Sequence, residues 1–363
     1  MAQPAPARQY YPALDGLRGV AILLVVVYHN FGFINYFFFG WLGVDLFFVL
    51  SGFLITGILL NTQSQKNYLG NFYRRRILRI FPLYYLVLAI CLFIVPLFKN
   101  IDLDLSYYSK NQLWFWVYLQ NWLYIIKLPS NNILIHFWSL AVEEQFYLLW
   151  PFLILWIKYP KRLFIVAAGI LLTVICCRYA AWFYKIETIS YFSLYTFTRI
   201  DGICVGCMIA LLQRFSNNFL EKYTTSIVLS LAGFNFLFYF INSRYQFSFP
   251  YLALIGYTTF AVILGFFVYQ VTTQKTKIID WILNLAVLKF FGKISYGLYV
   301  FHWPVNILLT PLLMRNLFPI AQVSISGARL ITAFVVTGIS ILISFLSYKY
   351  FESYFLRFKT RYL

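Results

Sequence analysis

The chain has 363 residues, of which 62% are hydrophobic, 22% aromatic and only 11% charged, and its formal charge is +18. That balance reverses the one found in soluble globular proteins, so water is not the main solvent. Basic residues of this kind accumulate in the cytoplasmic loops of membrane proteins, which accounts for the charge without any nucleic-acid partner.

A bilayer takes about 20 apolar residues per helical crossing, and such stretches recur from Leu14 to Lys349. They are long and apolar all round, unlike the short alternating segments of a barrel, so the expected fold is all-α: a polytopic integral membrane bundle of about ten transmembrane helices. The spans fall at roughly 14–33, 41–60, 78–98, 137–157, 163–184, 195–212, 225–241, 249–271, 294–314 and 325–350. With both termini cytoplasmic, Arg8, Lys66, the arginines from Arg74 to Arg79, Lys158, Lys161, Arg162, Arg214, Lys222, Lys275, Lys277, Lys289, Lys293, Lys349, Arg357, Lys359 and Arg361 gather on one side. The other side keeps Lys99, Lys110, Lys127, Lys185, Arg244 and Arg315, an asymmetry that supports an even count. No linker or repeat divides the chain, so residues 1–363 are expected to form a single membrane domain, with no cleavable leader ahead of the first span.

The first span carries Asp15, Arg18 and His29. Eleven residues at 100° each return to within about 20° of the same face and rise roughly 16 Å. A cationic foot near the cytoplasm and an imidazole near mid-membrane suit a thioester whose phosphates stay behind; the plainer reading pairs Asp15 with Arg18 and leaves His29 to the bundle. Asp45 lies in the outer half of the second span.

Just cytoplasmic of the third span stands FYRRRILRIFPLYY, with Arg75 and Arg79 one turn apart and Arg76 beside them. Guanidinium groups so arranged bind phosphates bidentately, or mark topology against anionic lipid. The apolar segment 113–126 is too short to cross and is interrupted by Gln120 and Asn121, so it reads as interfacial or re-entrant on the outer side.

The fourth span, HFWSLAVEEQFYLLWP, aligns Ser139, Glu143 and Tyr147, with Glu144 adjacent. Carboxylates inside a bilayer are costly, which marks them as functional; one is suited to orienting a histidine and the other to pairing with an arginine. Arg199, in TRIDGICVG, is a candidate partner for Asp45 or a glutamate, while Asp201 faces the other way. Gly202 and Gly206 read as close-packing positions. In the ninth span, KISYGLYVFHWP sets Ser295, Tyr299 and His302 on one stripe. The five cysteines sit in apolar runs, and Cys204 and Cys207 lack a second ligand pair, so neither a disulfide nor a metal site is expected.

Taken together, LDGLRGVAILLVVVYH, GVDLFFVLSGFLI, RRILRIFPLYY, WSLAVEEQFYLLWP, the Arg199 region and GKISYGLYVFHWP resemble the acyltransferase-3 family of membrane O-acyltransferases. The resemblance implies a ten-helix core in the cell (inner, cytoplasmic) membrane. Such a core takes acyl groups, often acetyl, from cytoplasmic acyl-CoA and modifies hydroxyls of envelope polysaccharides or lipid-linked glycans. Carried over by motif, Arg18 and His29 are the essential pair, Glu143 joins them, and Arg75, Arg76, Arg79, Asp45 and His302 support them. Some members add an extracytoplasmic hydrolase-like domain; this sequence stops at Leu363 without one, which implies direct transfer or a separate envelope protein that completes it.

The expected mechanism sets the CoA phosphates against Arg75, Arg76 and Arg79, with Arg18 lower in the channel and the pantetheine arm inside the bundle. His29 then acts as a general base or attacks first to form an acyl-imidazole. Glu144, Asp45, Ser139, Tyr299, His302 and Arg199 are supporting residues, and acyl-CoA is a substrate rather than a bound cofactor. No GxSxG elbow favours an acyl-serine. The rivals are a succinyl or longer-acyl transferase on the same core, and a transporter whose buried charges form a pathway.

Overall fold

A computed structural model describes residues 11–98, 103–186, 189–245, 250–273, 276–320 and 325–358. The expected loop cations Arg8, Lys99, Lys275, Lys359 and Arg361 lie outside the described residues. Within them the chain is helical with no strand, as a bilayer demands of backbone that must satisfy its own hydrogen bonds. Ten helices form the framework: α1 Pro12–Asn30, α2 Leu42–Thr62, α3 Tyr68–Ala89, α4 Trp138–Ile157, α5 Pro160–Phe183, α6 Asp201–Phe215, α7 Asn217–Tyr245, α8 Tyr257–Thr273, α9 Ala286–Ile320 and α10 Ile325–Leu346.

Nine helical segments among the described residues are long and apolar enough to cross a membrane. α6, with 15 residues, is the exception. The expected sixth span, 195–212, breaks at Ile200 because a short helix, Thr196–Arg199, ends there. The Thr198 carbonyl accepts from the Arg178 guanidinium, Nε at 2.7 Å, so the backbone turns where a continuous helix was expected.

The third span also differs from expectation. α3 begins at Tyr68, so the arginine run lies within a helix that continues through a π-turn at Ile90–Ile94. Its guanidinium groups are thereby carried on one rigid rod.

Backbone-to-backbone contacts hold the bundle together. A Cβ built on Gly16 would fall 1.8 Å from the Leu283 carbonyl oxygen, one on Gly19 2.1 Å from that of Leu288, and one on Gly292 1.8 Å from that of Asp15. At Gly19 and Gly292 α1 and α9 therefore meet with no side chain between them, and at Gly16 α1 meets the short helix Lys277–Leu283 in the same way, the close approach that small residues permit in membranes. α2 and α6 do the same at Gly52 and Gly206, where a Cβ would meet Ile203 and Val49 carbonyl oxygens at 2.0 and 2.1 Å.

The segment 113–126 forms two short helices, Gln112–Trp116 and Gln120–Ile126, joined through Tyr118 at a left-handed φ of 56°. It lies over the outer ends of α3 and α4. Gln120 and Asn121, expected to interrupt an apolar stretch, are fully buried and bonded: Gln120 Nε2 donates to the Phe137 carbonyl at 2.8 Å, Asn121 Nδ2 to Thr196 Oγ1 at 2.8 Å. Tyrosine hydroxyls fasten this cap, Tyr84 to the Phe115 carbonyl at 2.8 Å and Tyr108 to that of Asn131 at 2.7 Å. Its rim is held by Asp104, whose carboxylate accepts from the Ser106 amide at 2.9 Å and faces Ser130. Those hydrogen bonds hold the Asp104 carboxyl below its ordinary value.

Candidate active site

A cavity of about 920 Å³ opens between α1, α2, α3, α4, α6 and α9. Along α2 its lining runs from Val44 to Asn61, about 25 Å of helix. The walls have a defined order because each helix repeats a lining residue every turn.

Charge gathers at the end that the positive-inside rule assigns to the cytoplasm. Arg18, Arg75, Arg76, Arg79 and Arg214 line the cavity against two carboxylates, Asp15 and Glu143, leaving a cationic excess. Asp15 pairs with Arg18 at 2.9 Å across one helical turn, and both are 22% exposed. Arg76 stands with its guanidinium carbon 5.3 Å from the Tyr147 ring centre and 5.7 Å from that of Phe72, a cation–π clamp that fixes its planar fork.

Deeper in, one polar cluster interrupts apolar walls. Ser51 Oγ donates to Glu143 Oε1 at 2.7 Å, and the Tyr147 hydroxyl, 2.6 Å away, completes the set by donating to Ser51. Glu143 thus faces the cavity, whereas Glu144 does not line it; Glu144 is placed to interact electrostatically with Glu143 and Arg76. Ser51 was overlooked in sequence, since one hydroxyl in GVDLFFVLSGFLI looks like packing.

Ser139 and Tyr299 line the far end, with Ser295 one turn nearer the arginines. The Tyr299 hydroxyl donates to the His136 carbonyl at 2.7 Å and is bonded to Ser139 Oγ. Immediately behind lie three histidines. Ring centres of His136 and His302 are 5.6 and 5.8 Å from that of Tyr299, and 5.4 Å from each other. His302 Nε2 is 3.0 Å from His29 Nδ1, and the Trp303 ring packs 4.7 Å from His29. Arg18 and Glu143 therefore line the cavity itself, His302 stands behind the lining residue Tyr299, and the half-buried His29 stands behind His302 in turn.

His136 was not singled out in sequence, although it opens the fourth-span motif at three residues before Ser139. Its position follows from a proline. Pro304 has no N–H, so the Val300 carbonyl four residues back loses its helical donor. His136 Nε2, 3.2 Å away, supplies it.

Asp45 and Arg199 form a buried ion pair with each other, and Arg199 also lies 3.9 Å over the Tyr257 ring. Asp201 pairs instead with Arg178 at 2.7 Å and accepts from Thr258 at 2.8 Å. Arg178, in the fifth span, was also missed; a charge in a span is the signal that marks it. These pairs tie α2, α5, α6 and α8 together away from the cavity lining. The described residues contain no His/Cys/Asp/Glu group fit to hold a metal, and all five cysteines are free.

Fold and site define a polytopic, all-helical membrane protein with an internal cavity that is cationic at one end and backed by imidazoles at the other. The chain belongs to the acyltransferase-3 family: its model, described as an acyltransferase domain, matches residues 11–349. The peptidoglycan O-acetyltransferase OatA of Listeria monocytogenes is 33% identical over 329 residues, covering 85% of this chain and 51% of that relative. The O-acetyltransferase OatA of Staphylococcus aureus is 28% identical over 339 residues, covering 86% and 53%. The chain spans about half the length of the curated relatives it matches. No solved structure matches it.

Proposed function

We propose that this protein is a membrane O-acyltransferase that takes an acyl group, acetyl above all, from acyl-CoA at the cytoplasmic face and delivers it to a hydroxyl of an envelope glycan. The observation that carries this reading is a single continuous cavity with an arginine mouth and a far end backed by His29, His302 and His136. Arg75, Arg76 and Arg79 suit the phosphates of the donor, because guanidinium groups pair phosphate oxygens bidentately. A pantetheine arm fits a passage about 25 Å long, and the Ser51–Glu143–Tyr147 cluster offers its amides hydrogen-bond partners. The names of the relatives point to peptidoglycan as the acceptor class.

In the step proposed, the acceptor oxygen bonds to the thioester carbonyl carbon while its proton passes to His29 Nε2. The C–S bond then breaks, and the departing CoA thiolate takes that proton from the imidazolium as thiol. For this, Tyr299 must rotate and the reacting groups must pass beside His302, since Tyr299 packs on His302 and His302 on His29.

The test uses the full chain in lipid nanodiscs with radiolabelled acetyl-CoA and peptidoglycan fragments. Ester-linked label in the glycan and release of free CoA are expected, and replacing Arg76 and Arg79 together by Ala should raise the donor KM by 10-fold or more, at about 1.4 kcal/mol per decade. Intact acetyl-CoA after prolonged incubation, or substrate flux without a covalent product, would overturn the reading.

A further inference from the structure

His29 has two ring nitrogens, and only one of them can be the base. Hydrogen bonding around its neighbour decides which. His302 Nδ1 faces two main-chain carbonyl oxygens of its own helix, Leu298 at 3.0 Å and Tyr299 at 2.7 Å. A carbonyl oxygen only accepts, so the proton of His302 is on Nδ1. The ring is completely buried in the bundle, where an imidazolium is costly and the neutral form is the stable one. A neutral imidazole carries one proton, so His302 Nε2 has only a lone pair. The nitrogen 3.0 Å away, His29 Nδ1, must therefore donate.

We infer that His302 is a positioning residue that fixes His29 in the tautomer with its proton on Nδ1, leaving the Nε2 lone pair as the only basic atom. The hydrogen-bond partners that orient this pair are helix carbonyls rather than the carboxylate of a Ser–His–Asp triad. The helix supplies them at fixed spacing, three and four residues before His302, so the orienting group is the α9 backbone itself. Gly19 and Gly292 set α1 close enough to α9 for the two rings to meet. His136 is held separately by Val300 and packs edge-on against His302. The catalytic meaning of the tautomer rests on the reading of His29 as the base in acyl transfer; the tautomer itself does not.

The chain contains three histidines in all, which makes a direct observation practical. The full-length protein, labelled with ¹⁵N and ¹³C at histidine and held in nanodiscs without donor, should give a His29 signal with a protonated Nδ1 and a bare Nε2. In His302→Phe the Nδ1-protonated share of His29 should fall in favour of the Nε2 form that free imidazole favours, opposed only by the Val25 carbonyl one turn back, and kcat should fall by about 10²–10⁴-fold, the range of a general base, with the donor KM unchanged. His302→Gln, whose carbonyl reaches where Nε2 stood, should restore the Nδ1 proton and most of the lost kcat. A wild-type His29 protonated on Nε2 overturns the inference whether or not the variants fold, as does a His29 tautomer that ignores His302→Phe. If the tautomer is as inferred but the wild type consumes no acyl-CoA, the functional reading fails while the hydrogen-bond assignment stands.

Discussion

Arg199 and Asp45 illustrate how a buried charge constrains single residues. Each would be prohibitive alone in an apolar bundle, and they are tolerated because each neutralises the other beneath the ring of Tyr257. Replacing Arg199 by Ala strands the Asp45 carboxylate, and we expect a loss of about 3–5 kcal/mol in stability. Thermal unfolding in detergent measures it. The double change Asp45→Asn with Arg199→Met removes both charges and should cost less than Arg199→Ala alone; an equal or larger loss would mean that packing, not charge, holds this site. Ser51 tests a different property. Ser51→Ala takes a hydroxyl donor from the half-buried Glu143, so binding of the acyl donor should weaken while unfolding temperature changes little, because the cluster faces the cavity rather than a packed interface.

Among the elements, the α1–α9 contact has the tightest steric requirement. Gly292→Leu would drive a side chain into the Asp15 carbonyl and force the helices apart, costing about 1–3 kcal/mol or more. A Cβ at Gly57 meets nothing within 4 Å, so Gly57→Ala should be nearly neutral in the same unfolding assay. Because α1 carries both Arg18 and His29, the Gly292 variant should also separate the His29 and His302 rings. The outer cap makes an independent prediction. The hydrogen bonds of Asp104 lower its pKa below the ordinary 3.8. The stability they contribute is therefore complete above that value and lost as pH falls through the lowered one. Amide exchange in residues 103–131 should accelerate on that acid limb, and Asp104→Asn should abolish the change. A cap that loosens equally with and without Asp104 would rule out this fastening.

For the molecule as a whole, the crossing made by α3 places the loop after α2 and the cap that follows α3 on opposite sides of the membrane. Lys66→Cys and Lys127→Cys, each exposed, should be labelled by an impermeant thiol reagent from opposite faces when the native cysteines are replaced. Labelling of both from one side would remove a crossing and the even count with it. The spans were legible because a bilayer imposes a length and a composition on any segment that crosses it. The face shared by Ser139, Glu143 and Tyr147 was legible because helical period is a local property. The arginine run was read as lying outside its span because charge lowers hydropathy whether or not a residue is helical; in the fold it belongs to α3 and opens into a cavity.

Composition, periodicity and loop charge thus settled by themselves that the chain is a multi-helical membrane protein with polar residues on the inward stripes of α1, α4 and α9. They did so because solvent and helix geometry act on each segment independently. Which stripes face one another was decided only in three dimensions. That His29 meets His302, that His136 is drawn in by the donor Pro304 lacks, that Asp45 chooses Arg199, and that Ser51 lies opposite Glu143 all depend on helix crossings set by glycines distant in sequence. A hydrogen bond across 273 positions leaves no mark in the local pattern of either partner.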